Sequence, residues 1–114
     1  MSTSVRFVRR GVRGVSRSNF NLPNIIKSAQ AVVHMSAGEI KPGPRTTVGT
    51  INQDFIYNLG DASVWISNIS PHFNSHFGGE VGGVEYNLHV DFDSPIDVAV
   101  TVTVEDDTPV EIQN

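Results

Sequence analysis

Two successive runs near the C-terminus alternate apolar and polar residues without a break. In the first, Val84, Tyr86, Leu88, Val90 and Phe92 interleave with Glu85, Asn87, His89, Asp91 and Asp93. In the second, Ile96, Val98, Val100, Val102 and Val104 interleave with Asp97, Ala99, Thr101, Thr103 and Glu105. A period of two is the repeat of a strand with one buried face, and β-branched residues suit such a pleated, half-covered surface. Between the runs, Asp93-Ser94-Pro95 carries turn chemistry, so the pair is expected to form a long antiparallel hairpin.

Shorter signals of the same kind lie upstream. Ala29, Ala31, Val33 and Met35 alternate with Gln30, Val32 and His34, and Lys41-Pro42-Gly43-Pro44 predicts a loop after them. Arg45 to Ile51 is rich in Thr and Val. Phe55, Tyr57 and Leu59 share one side of the next segment, and Gly60-Asp61 predicts a tight turn into a hairpin closed by Ala62 to Ile69. In that last segment Val64 and Ile66 occupy one face and Trp65 the other, where a lone Trp reads as core or sheet-covering bulk rather than a ligand platform. Ser70 to Gly83 holds Pro71, Gly78, Gly79, Gly82 and Gly83 and predicts a long loop in which glycines permit positive φ. Apart from a turn of helix at Asn24 to Ser28, no window has the apolar spacing of a helix. The expected fold is all-β: a small antiparallel β-sandwich, jelly-roll or immunoglobulin-like, over residues 24–114.

Residues 1–23 read as a basic extended N-terminal arm. Before Glu39 the chain carries Arg6, Arg9, Arg10, Arg13, Arg17 and Lys27 and no acid, whereas after Arg45 it carries acids and neither Lys nor Arg. The net charge of -4 conceals this split. Val5 and Phe7 alternate with Arg6, so the arm has the pattern of an added edge strand whose arginines reach sideways to carboxylates. An arm of this kind loses backbone entropy on ordering and needs a surface to pair with, in its own body or in a neighbour. The receiving face expected from the C-terminal hairpin is acidic: Glu85, Asp91, Asp93, Asp97 and Glu105.

The chain contains no cysteine, which excludes disulfides and thiolate chemistry, and no apolar run long enough for a membrane span. The Arg- and Ser-rich start has the composition of an organelle transit peptide, a lesser reading that mass spectrometry of the native N-terminus checks. His72 and His76 stand four apart, a metal-ligand spacing on a helix, but Pro71 and the nearby glycines argue for loop histidines. Asp91 and Asp93, with Asp97, could offer oxygens to calcium, yet they do not match an EF-hand loop and read better as a solvated face. Ser75, His76 and Asp91 form a catalytic trio only on paper, without a nucleophile elbow, and the Gly78 to Gly83 stretch lacks the Lys of a phosphate loop. No cofactor and no enzymatic activity are expected.

These features predict a structural subunit that self-assembles through its arm, as a viral or phage capsid, decoration or filament component in a virion or extracellular assembly. Its partners would be copies of itself or other structural proteins. Nucleic acid is a lesser partner, because the acidic body repels phosphates and no aromatics are interleaved with the arginines. The alternative is a small β-sandwich binding module, carbohydrate- or calcium-dependent, with the Ser70 to Gly83 loop and the Asp-rich turn as its site.

Overall fold

The computed structural model describes residues 2–48, 51–74, 81–105 and 110–113. Among these residues seven strands follow in order: β1 Ser2–Val12, β2 Gly14–Asn21, β3 Val32–Val48, β4 Ile51–Tyr57, β5 Ser63–Asn74, β6 Val81–Asp91 and β7 Ile96–Glu105. They form two antiparallel sheets, a four-stranded one in the order β1-β7-β3-β4 and a three-stranded one in the order β2-β6-β5. The protein is all-β, with no helix among the described residues. Residues 22–26 make a single turn, slightly ahead of the helical turn expected at Asn24 to Ser28. In it the Leu22 carbonyl accepts hydrogen bonds from the amides of Ile25 and Ile26.

The two alternating runs are the central strands, β6 and β7, and they do not pair with each other. The expected hairpin is instead an arch: β6 lies between β2 and β5 in one sheet, and β7 between β1 and β3 in the other. The inward residues are those the alternation picks out, with Val84, Tyr86, Leu88 and Val90 of β6 meeting Val98, Val100, Val102 and Val104 of β7 in the core. The reason is one of coverage. Paired side by side, the strands would turn both apolar faces the same way and leave them waiting for another layer. Folded over one another, each covers the other. Residues 92–95 are enough extended chain to cross the roughly 10 Å between stacked sheets.

The expected Gly60-Asp61 hairpin is also a crossing between sheets, since β4 pairs with β3 and β5 pairs with β6. Beyond Tyr57 the chain is tied back to β3, where the Asn58 amide donates to the Glu39 carbonyl at 2.9 Å and Asn58 Nδ2 to Glu39 Oε2 at 2.7 Å. The loop expected at Lys41 to Pro44 is absorbed into β3 as a shift of register between Pro42 and Thr46, which admits prolines on a strand whose partner lies at the sheet edge.

The long loop expected from Ser70 to Gly83 is shorter, because Ser70 to Asn74 belong to β5 and Val81 to Gly83 to β6. Gly78 and Gly79 lie outside the described residues. Gly82 serves close approach rather than positive φ: a Cβ there would sit 1.7 Å from the Ile26 carbonyl oxygen. At this point the Leu22 amide donates to the Gly82 carbonyl at 2.8 Å, and Leu22 and Ile26 fill the end of the core.

The residues read as an arm are edge strands of the chain's own body. β1 adds to β7 in register from Ser2 opposite Glu105 to Val12 opposite Ile96, and β2 adds to β6 from Gly14 opposite Val90 to Asn21 opposite Gly83. The chain changes sheet at Gly11 and Gly14, whose positive φ of 63° and 76° make the corner that an L side chain would strain. One bent ribbon thus borders both sheets.

Candidate functional site

Alternation along β1 divides its arginines between two environments. Arg6 and Arg10 point outward with Ser4 and Val8, while Val5, Phe7 and Arg9 point between the sheets. Arg10 meets the one carboxylate that an arginine of β1 or β2 reaches among the described residues: its Nη1 lies 3.1 Å from Asp97 Oδ2, and the Gly11 amide donates to Asp97 Oδ1 at 2.9 Å. Arg6 Nε donates to Thr101 Oγ1 at 2.8 Å and its guanidinium sits 5.5 Å from the Tyr57 ring centroid. Ser4 and Thr103 join their hydroxyls at 2.8 Å.

Arg9 is the member whose role the sequence conceals. Its Nη2 donates to the Tyr86 hydroxyl at 3.2 Å, and the guanidinium stands 5.0 Å over the Phe20 ring. Phe20 in turn stacks on Phe7 with centroids 3.6 Å apart. The two apolar edges of the ribbon therefore close against each other, and an inward charge caps the buried Tyr86 at the margin of the core. An inward arginine on an edge strand also discourages unwanted edge-to-edge pairing. Arg13 Nε reaches the Phe92 carbonyl at 3.4 Å, and Arg17 lines an open groove with Asn68, Ser70, Glu85 and Asn87.

The five acids expected on one receiving face occupy different ones. Glu85 and Asp91 point outward from β6 on the three-stranded sheet, and Asp97 and Glu105 point outward from β7 on the four-stranded sheet, with Asp93 in the connection between them. The arch separates them: in a hairpin all would share a side, whereas back-to-back sheets turn their polar faces in opposite directions. Glu105 faces His34, whose Nε2 lies 3.6 Å away.

His72 pairs across from Gly83 near the start of β6 and joins Asn19 Oδ1 through Nε2 at 2.5 Å, while its buried Nδ1 has no hydrogen-bond partner among the described residues. Ser75 and His76 lie outside the described residues. Asp91 ends β6, about 27 Å along the strand from Gly83, so His72 and the Asp91 and Asp93 pair belong to opposite ends of the sheet. Among the described residues no group of three or more His, Asp or Glu side chains is placed to hold a metal ion. The same separation places Ser70 to Asn74, with Val81 to Gly83, and the Asp-rich turn at the two ends of β6.

A second cluster emerges from strand register. Val15, His89 and Trp65 form one rung across β2, β6 and β5, all outward. Trp65 and His89 stack with centroids 4.7 Å apart and planes 6° apart, and Ser67 Oγ lies 2.6 Å from His89 Nε2. The opposite phase of Trp65 from Val64 and Ile66 was the only sign in the sequence that this ring faces out. Its neighbours across the sheet could not be read from it.

No helix among the described residues is long and apolar enough to cross a membrane. No family model, no curated protein and no solved structure matches this chain.

Proposed function

We propose that this chain is a non-enzymatic structural subunit that assembles with copies of itself, in the manner of a viral or phage capsid, decoration or filament component. In this reading the body is a β-sandwich of jelly-roll or immunoglobulin-like type. The N-terminal ribbon is an arm that either completes its own sheets or completes a neighbour's. The observation that carries the proposal is the way the ribbon is attached. Residues 2–21 supply one edge strand to each sheet and, among the described residues, pair with β7 and β6 alone.

Such an element can leave as a unit, because every pairing it makes at home is available in an identical neighbour, which is the logic of strand exchange between protomers. The exposed segment from Lys27 to Gln30, between the buried Ile26 and the start of β3, is the natural hinge. Exchange would carry Arg10 to the neighbour's Asp97 site and Arg9 to its Tyr86 site, so the arginines set register in either arrangement.

The absence of native cysteine makes a clean test. Ser4 and Thr103 are register partners, so Ser4→Cys and Thr103→Cys can be placed on separate chains and co-expressed. Exchange predicts a disulfide-linked dimer containing one of each variant, and larger particles by light scattering. A monomer in which the two cysteines join only when both are on one chain would refute the proposal.

A further inference from the structure

The outer face of the three-stranded sheet changes character along its length. Its rungs run from Val15, His89 and Trp65 to Arg17, Asn87 and Ser67, then to Asn19, Glu85 and Ser70. A bulge between Ser67 and Ser70, with Asn68 at a positive φ of 56°, keeps the outward phase on both sides of it. Two open depressions follow the same division: a mainly apolar one bordered by Val15, Trp65, His89 and Asp91, and a polar one bordered by Arg17, Ser70, Glu85 and Asn87.

We propose that this face binds a neutral oligosaccharide, with Trp65 as the stacking platform and the Arg17, Asn87 and Glu85 rungs as the hydroxyl-binding strip. Trp65 is 46% exposed, although aromatic rings of this size are usually well covered. One ring face is held against His89, which Ser67 fixes in turn. The other faces away from His89, on β5, the last strand in the order of this sheet. The ring is therefore pre-oriented before any ligand arrives, which lowers the ordering cost of binding. Sugars present an apolar C–H face and a rim of hydroxyls that both donate and accept. The neighbouring rungs offer a guanidinium donor, a carboxylate acceptor and an amide that does both.

Charge and area select among occupants. Arg17 is outweighed by Glu85 and Asp91 on the same face, which disfavours sulfated or sialylated glycans and nucleic acid. A second protein would need about 800 Å² from each partner. Three strands about 4.8 Å apart and about 34 Å long outline roughly 500 Å² in projection, with one apolar rung at one end and Ile69 exposed at the bulge. That footprint suits a few sugar rings.

Trp65 is the sole tryptophan, so its emission reports on this site alone. The full chain is titrated to millimolar levels with lactose, maltotriose, cellotriose and triacetylchitotriose, with ligand-observed NMR in parallel. At least one sugar should give a saturable change in emission. Trp65→Ala should weaken that sugar about tenfold, as loss of an aromatic contact does. Asn87→Ala should weaken it severalfold, and Ile56→Ala on the other sheet should leave it unchanged. The proposal falls if none of the sugars binds, or if binding survives Trp65→Ala. It falls equally if Trp65 emission follows protein concentration instead, because a second copy then covers the face.

Discussion

Replacing Gly82 by alanine asks whether the N-terminal ribbon is anchored where the turn at residues 22–26 meets β6. The added Cβ would lie 1.7 Å from the Ile26 carbonyl oxygen and 2.6 Å from its carbon, and both atoms are backbone, so no side chain can swing aside. Relief requires the turn and the strand to part by more than 1 Å. The 2.8 Å bond from the Leu22 amide to the Gly82 carbonyl is then lost, at about 1 kcal/mol. Leu22 and Ile26, 4% and 1% exposed, also lose part of a burial worth about 1.5–3 kcal/mol for each side chain. Together with the strain of overpacking, the cost is about 3–5 kcal/mol, a large share of the stability of a domain this size. At roughly 4 °C for each kcal/mol, the melting midpoint should fall by about 12–20 °C. Far-UV circular dichroism on heating and urea titration both measure it. Gly11→Ala is the internal contrast: its φ of 63° is unfavourable for alanine but nothing stands within 4 Å, so it should cost only about 1–2 kcal/mol. A Gly82→Ala protein within about 1 kcal/mol of the parent would refute the close approach, and with it the anchor.

Three further outcomes follow from the same contacts. Arg9→Ala and Tyr86→Phe should each cost about 1–2 kcal/mol, and the double variant should cost clearly less than their sum, because both remove the same 3.2 Å hydrogen bond. Asp97→Ala should cost no more than about 1 kcal/mol at low salt, since Arg10 is 67% exposed. Part of that difference should disappear in 0.5 M salt, measured by urea midpoints. Val100→Ala, in the fully buried centre of β7, should cost about 2–3 kcal/mol, whereas Val8→Ala on the outer face of β1 should stay within about 0.5 kcal/mol.

The inner faces of β6 and β7 were legible residue by residue, because alternation is a local property and each apolar position had to be covered by something. The pairing was not. A hairpin and an arch have the same alternation on both strands, and what separates them is whether β1, β2, β3 and β5 are available as neighbours. That cannot be seen within Val84 to Glu105. For the same reason Gly60-Asp61 has the chemistry of a hairpin turn yet leads from one sheet to the other, and the loop-like composition of Ser70 to Gly83 runs into β5 and β6. Local turn chemistry marks where a chain bends but not which sheet it enters next. Gly82 illustrates the point at one residue: a glycine in a loop suggests freedom of φ, yet here it makes room for a carbonyl 56 positions away along the chain, from Ile26.

The candidate sites divide in the same way. The concentration of arginines in residues 6–17 and the strand-like alternation of Val5, Arg6 and Phe7 are sequence properties, and so is the choice of an all-β fold. Which arginine meets which group was decided by tertiary structure: Arg10 by the register that sets β1 on β7, Arg9 by its inward phase at the seam between the sheets. The acidic residues lost their common face, and Trp65 found His89 and Val15, through one event, the folding of β6 over β7. Side-chain periodicity is fixed by backbone geometry within a strand. The company each face keeps depends on contacts between distant segments, and only the closed core selects those.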